Sequence, residues 1–316
     1  MAAGPGPKPF RVLLRHHRDL FVNPLFWTSR HLDLVGCRFE DVDTANDEPT
    51  QASDCGTGGD RNFSDVESLA TNLILGVKYR CLVSILVGEG HAFAKSRKGS
   101  PFFFAGRPVH RPHYTVFRRH GQPNDLARKG SPPLIGYLHY TDVTGDRLNE
   151  FEPCPDPSGR LNFIGASIRN KRVAQITPKD WTEDPYYVCV MLALAQLQER
   201  KLDSPKPIIY TSRLLVTNAL DKEYIHLYEV EISARLLEDL RNPTNATEYT
   251  KWPNIRHKKL PFAPYATFTD RIVTELVAPS HPNSSPPDDM NGVIMHGAKR
   301  ALDQESSEQC KVRRTS

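Results

Sequence analysis

The sequence has no uninterrupted apolar run longer than ten residues, Tyr186 to Ala195. That is about half of the ~20 a membrane-spanning helix requires, so no helical span and no membrane partner are expected. Paired cysteines are also missing. The six cysteines (Cys37, Cys55, Cys81, Cys154, Cys189 and Cys310) stand at least 18 positions apart. Without a C-x-x-C pair, two thiolates from one turn cannot converge on a tetrahedral zinc, and free thiols are expected. His110, His113 and His120 sit among arginines and beside Pro112, which argues for loop imidazoles rather than a cation site. The opening MAAGPGPKPFRVLLRHHRDLF lacks the apolar core and small-residue cleavage site of a secretory signal, so an intracellular location is expected.

Complete catalytic signatures are absent as well. In LVSILVGEGHAFAKS the glycine slots of a phosphate loop hold Glu89 and Ala94, and a carboxylate there would repel phosphate. No V-A-I-K, H-R-D or D-F-G accompanies those glycines, and Gly165-Ala-Ser167-Ile-Arg169 supplies only half of a nucleophile elbow. No cofactor and no metal are expected.

What is present is an uneven distribution of charge. The 316 residues carry 41 Lys+Arg against 37 Asp+Glu, a net of only +4. Yet residues 40–67 hold nine acids and one base, while 95–130 hold nine bases and one acid. Length allows one large domain or two small ones. Residues 1–8 are expected to be a flexible N-terminus and 9–277 one domain, with an acidic loop at about 40–63. The proline- and serine-rich stretch after Val277 reads as a disordered tail over 278–316.

Local patterns suggest the elements. Leu32, Leu34 and Cys37 suggest a short strand. Ser64-Asp-Val-Glu67 resembles a capping box, and the apolar spacing from Val66 to Ile85 predicts one long helix ended by Gly88-Glu-Gly90. Segments 134–143 and 161–168 read as strands on either side of the turn Pro155-Asp-Pro-Ser-Gly159. Asp184-Pro185 opens a helix over about 185–201, apolar on every side at first and hence buried, with Gln196 to Lys201 expected in water. A hairpin at 207–232, a helix at 234–241 capped by Ser233, a strand at 255–260 and a helix at 265–277 complete an α+β pattern. Its expected centre is the 185–201 helix, packed on a small, mainly antiparallel sheet.

The runs DPYYVCVMLALAQLQ, RLLVTNALDKEYIHLYEVEISARLLEDLRNP and IRHKKLPFAPYATFTDRI, over about residues 180–275, resemble an uncharacterised family of filamentous-fungal (ascomycete) proteins sharing this helix, hairpin, helix and strand order. The resemblance implies a fungal source and no particular chemistry.

Three groups of residues invite a functional reading. Asp142, Glu229 and Glu231 follow or lie on strands and could hold Mg²⁺ for phosphodiester hydrolysis, as in a nuclease of restriction-type core, but the lysine of its E-x-K signature is missing. Lys95, Arg97, Lys98, Arg111, Arg118 and Arg119 are interleaved with Phe102, Phe103, Phe104, Tyr114 and Phe117, the combination that neutralises phosphates and stacks bases of single-stranded nucleic acid. The alternative is that this segment pairs with the acidic loop and Phe102 to Phe104 are core. Finally, Lys299-Arg300, ten intervening residues, and Lys311-Val-Arg313-Arg314 resemble a bipartite nuclear localisation signal for an import receptor. The resulting expectation is a non-enzymatic interaction protein, nuclear and nucleic-acid-associated. A divergent metal-dependent phosphodiesterase and a cytoplasmic location are the alternatives.

Overall fold

The structure is a computed structural model that describes residues 9–17, 22–42, 59–88, 91–120, 134–202 and 207–279. The described elements are α1 (Phe10–His16), α2 (Ser29–Val35), β1 (Phe39–Asp41), α3 (Gly59–Thr71), α4 (Leu75–Leu86), β2 (Phe93–Lys98), β3 (Phe102–Phe104), β4 (Arg107–His110), β5 (Thr115–Arg119) and β6 (Leu134–His139). They continue with α5 (Tyr140–Glu150), α6 (Phe163–Ile176), α7 (Tyr186–Lys201), β7 (Ile209–Thr217), β8 (Tyr224–Ser233), α8 (Ala234–Arg241), β9 (Ile255–Pro261) and α9 (Tyr265–Val277). Short 3-10 turns precede α2, at Pro24–Phe26, and α7, at Trp181–Glu183. The described residues fall within one unit, Met1–Pro279. The expected N-terminal arm, residues 43–58 of the acidic loop and the tail from 280 lie outside the described residues; the ends expected to be loop are instead strand at 40–41 and helix at 59–63.

The fold is α+β. Its seven-stranded sheet runs β1-β9-β8-β7-β6-β5-β2 and is mainly antiparallel, with parallel pairs at β1/β9 and β6/β7. Strand alternation sends successive side chains to opposite faces. On β7, Leu214 and Val216 therefore join one core with α7, while Leu215 joins the other, formed with α3, α4 and α9. Helices cover both faces, which explains why α7 is apolar all round: it lies between the sheet on one side and α1, α2 and α8 on the other.

Charged groups hold this helix in place. Asp184, immediately before α7, is fully buried and accepts two hydrogen bonds from the Arg147 guanidinium, at 2.6 and 2.8 Å. It also accepts from the Tyr140 hydroxyl and the Tyr186 amide, each at 2.9 Å, while Arg147 Nε donates to the Leu25 carbonyl at 2.9 Å. The C-terminal turns of α7, expected in water, are instead buried at Gln196, Gln198 and Glu199. Their polar atoms find protein partners: Gln196 pairs with both backbone groups of Phe103, Gln198 donates to the Thr211 carbonyl, and Glu199 pairs with Arg241.

Four local expectations are corrected. The strand expected at 161–168 is the start of α6, because Asn162 Oδ1 accepts from the Gly165 amide at 2.7 Å and caps a helix that runs on to Ile176. The strand at 32–37 is α2, ended by Gly36 at φ +74°, and pairing begins only at Phe39. The single helix at 65–88 is two helices. Asn72 Oδ1 takes the Ile74 amide at the break, and Ser64 lies inside α3 rather than at its cap. The strand beginning at 134 stops at His139, whose Nδ1 accepts from the Thr141 amide to start α5.

Leu192 is buried in the core that α7 shares with the sheet. Leu192→Ala is expected to destabilise the fold by about 2–5 kcal/mol, measured by urea denaturation, since the surroundings of a central helix cannot collapse into the vacated space.

Candidate functional site

The three candidate carboxylates do not converge. Glu229 lies on β8 opposite Arg213, and its two oxygens are taken by Arg213, at 2.5 Å, and by Arg256. Arg213 also donates to the carbonyls of Leu276 and Ala278 at the end of α9, so Glu229 and its arginines tie that helix to the sheet. Asp142 sits in the first turn of α5, beyond the end of β6, and Glu229 is level with Ile135 two strands away. Four residues of strand and two inter-strand steps separate them by roughly 13 Å along and 10 Å across. Glu231 is a further two residues away, opposite Thr211. Burial first, then the Asp146 charge, raises the Asp142 pKa, opposed by His113. Among the described residues no group of three His, Cys, Asp or Glu is placed to hold a metal ion.

A different titratable cluster occupies the α7 side of the sheet. Asp221 accepts from or faces His226 Nε2 at 2.8 Å, His226 Nδ1 meets His257 Nε2 at 2.8 Å, and His257 Nδ1 meets Asp41 at 2.6 Å. The two imidazoles lie edge to edge in nearly one plane, ring centres 5.1 Å apart and 7° from parallel; the Tyr228 ring lies against His257 and the Trp181 ring is edge-on to His226. The four groups form a line, so they share protons instead of chelating a cation. While the end carboxylates are ionised, three contacts call for three protons and two neutral imidazoles bring two. A third proton completes the row, and a fourth would place two charged rings in contact. Burial lowers the His226 pKa, helped by the His257 charge and opposed by the Asp221 hydrogen bond; burial outweighs Asp41 in lowering His257. Asp180 and Lys259 also face His257, and Lys259 faces His226.

Lys78 and His139 are buried near this end of the sheet. Lys78 Nζ donates to the carbonyls of Leu69 and Ala70, at 2.5 and 3.0 Å, closing the end of α3. Burial lowers its pKa to about 8, against the pull of Asp221. His139, lowered to about 4 by burial and the Lys78 charge, is a helix-capping acceptor whose Nε2 has no partner among the described residues.

The basic segment forms the edge of the sheet. β2 is its last strand and pairs with β5, setting Ala94 opposite Arg118 and Phe93 opposite Arg119. Lys95, Lys98, Arg111, Arg118 and Arg119 are exposed, Arg97 lies on β2, and among the described residues none of the five exposed cations forms an ion pair. The interleaved aromatics are not available for stacking bases. Phe102, Tyr114 and Phe117 are core residues, Phe104 packs against the core, and Phe103 lies under the Arg200 guanidinium, 4.5 Å from its ring centre.

The feature that sequence reasoning missed is α6. None of its 14 residues is buried, although Gly165 lets the Pro153 ring approach closely enough that a Cβ would meet it at 2.5 Å. Phe163 and Ile164 are each 77% exposed, Ile168 is half exposed, and Ile164, Ile168 and Arg172 follow one another at four-residue steps along one face. Reading 161–168 as a strand implied packing in a sheet and stopped short of Arg172, which hid the stripe. The histidine row had no sequence signal, because its members lie on strands and a turn up to 216 positions apart. Residues Lys299, Arg300, Lys311, Arg313 and Arg314 lie outside the described residues. No protein-family model matches the chain, and a search of curated proteins returns no relative.

His110, His139, His226 and His257 are all harder to protonate folded than unfolded. As pH falls below the ordinary 6.5, the unfolded chain takes up protons the fold refuses, so stability should fall, by at most about 1.4 kcal/mol per pH unit for each ring. For His110 and His139 the loss should level off near pH 4. Urea denaturation at half-unit steps from pH 7.5 to about 4 checks this; a flat profile across the range removes the buried neutral state.

Proposed function

We propose that this protein is a non-enzymatic interaction protein whose docking element is α6. The exposed stripe of α6 carries the reading. A helix of this length is marginal in water without packing, yet this one buries no residue and presents Phe163, Ile164 and Ile168 outward. The helix holds three cations (Arg169, Lys171 and Arg172) and no acid. Two copies would bring like charges together, so the partner it fits is a protein surface with an apolar centre and an acidic rim.

A second reading, contact with nucleic acid, is supported by the exposed cations at the β2–β5 edge, none of which forms an ion pair among the described residues. With the aromatics in the core, the contact would be to phosphates and would not depend on base stacking. The basic clusters at 299–300 and 311–314 extend the proposal to a nuclear address.

For the docking helix, a photo-crosslinking residue at Ile168 in cells should capture a discrete acidic partner that the same residue at exposed Lys222 does not. Lys171→Glu with Arg172→Glu should cut the yield at least fivefold at unchanged melting temperature. Equal products from both positions would remove α6 from the role. For the nucleic-acid reading, the full chain should bind a 20-nucleotide single strand at low salt. Arg118→Ala with Arg119→Ala should then lower the slope of log affinity on log salt by ~0.7–0.9 for each phosphate that is no longer neutralised. No retention of the wild-type protein on the strand at low salt would end that reading.

A further inference from the structure

On the α7 side of the sheet, α1, α2, the β3–β4 hairpin and α8 surround a recess of about 300 Å³. Protein interiors are close-packed and leave few voids larger than a water molecule, so a space of this size where so many elements meet is unusual for packing alone. It falls at the lower end of the size range of small-molecule sites, about 300–1,000 Å³.

The walls are apolar and held rigidly. Phe10 stands perpendicular to Phe104 with ring centres 6.3 Å apart and leans on Trp252 at 5.9 Å; Trp27 meets Phe102 edge-on at 5.9 Å. Leu32 and Val35 of α2 complete the lining from the other side. Of the polar wall atoms, Asn23 Oδ1 accepts from the Leu25 amide at 3.1 Å and His31 Nδ1 accepts from the Thr28 amide at 3.0 Å in the cap of α2, while the Trp27 indole Nε1–H is buried with no partner among the described residues. No Asp, Glu, Lys or Arg is among the described lining residues. A charged ligand would lose its hydration there and find no counter-charge, whereas an apolar one would lose only water contacts and gain dispersion with the rings.

We infer that this recess is a binding site for a neutral, apolar small molecule. An apolar cavity of about 150 Å³ accommodates benzene, so twice that volume suits a molecule of about two fused rings or a chain of roughly ten carbons. The site is built from α1, α2, β3, β4 and α8 and shares no residue with α6 or the basic edge, so its occupancy is independent of the docking reading.

The test uses the full chain and four probes: naphthalene and 1-decanol, and their anionic counterparts naphthalene-2-sulfonate and decanoate. By differential scanning calorimetry, each neutral probe near saturation should raise the melting temperature by a few degrees, because only the folded chain binds it. The anionic probes should leave it unchanged. Val35→Phe fills the recess from α2, and Val109→Trp fills it from the half-exposed rim of β4. Each should weaken neutral-probe binding at least tenfold; if Val35→Phe does not fold, Val109→Trp decides. Absence of a shift with both neutral probes, shifts of equal size with the anionic ones, or full shifts in the filled variants would overturn the assignment.

Discussion

The buried ion pair between Arg147 and Asp184 is the constraint on which the rest of the α7 side depends. Both side chains are almost wholly removed from water, and each uses its remaining hydrogen-bonding capacity on another element. Asp184 starts α7, Arg147 belongs to α5, and the Leu25 carbonyl comes from the turn that leads into α2. One cluster therefore fixes the entry of the central helix, the helix that follows β6 and the segment that walls the recess. Replacing both partners by well-fitted apolar groups can be neutral, but removing one leaves a charge with no water and no partner. The pair thus specifies where three elements meet more than it adds to net stability.

The same economy governs other polar groups in and beside the core. Glu229 with its two arginines ties α9 to the sheet, Lys78 closes α3, and Gln196 holds the β3 backbone. Each has an architectural partner set that occupies the atoms a catalytic role would need free. Among the described residues, the surfaces not tied up in this way include the apolar stripe of α6, the basic sheet edge and one recess whose lining holds no charged residue. The histidine row differs from the other buried groups because it is a continuous chain of four titratable side chains, which links the β1 edge, through Asp41, to the turn that carries Asp221.

Much of the architecture was legible from residues 184–277. There the apolar run of α7, the paired strands around Asn218–Lys222 and the Ser233 cap each carry a local signal that agrees with the tertiary structure. Earlier in the chain, local pattern and tertiary structure disagree. Leu161 to Ile168 has the composition of a strand, and the single side-chain cap from Asn162 overrides it. Asn72 similarly interrupts a helical periodicity that continues across the break. Among candidate site residues, the exposure of Arg118 and Arg119 agrees with their reading as surface cations. The burial of Phe102 and Phe117 shows that interleaving in sequence is not interleaving in space: with both sheet faces covered, Val116 and Phe117 are both buried, and exposure begins only at Arg118, at the end of β5. The pairing of Glu229 with Arg213 and Arg256 depends on strand register, which spacing along the chain does not encode.

The edges of the sheet differ in a way that bears on how the protein behaves at high concentration. A free strand edge is a template for pairing with another chain, and long, flat, apolar edges are where sheets aggregate. Here one edge is β1, only three residues long, and the other is β2, which carries Lys95, Arg97 and Lys98 and has an irregular register against β5 between Lys95 and Lys98. Shortness protects one side; charge and irregularity protect the other. The β2 cations therefore have a reason to exist whether or not a polyanion ever meets them, and neutralising them would trade solubility for information. Arg118 and Arg119 lie on β5, inside the sheet order and paired with Ala94 and Phe93 of β2, and carry no such second duty.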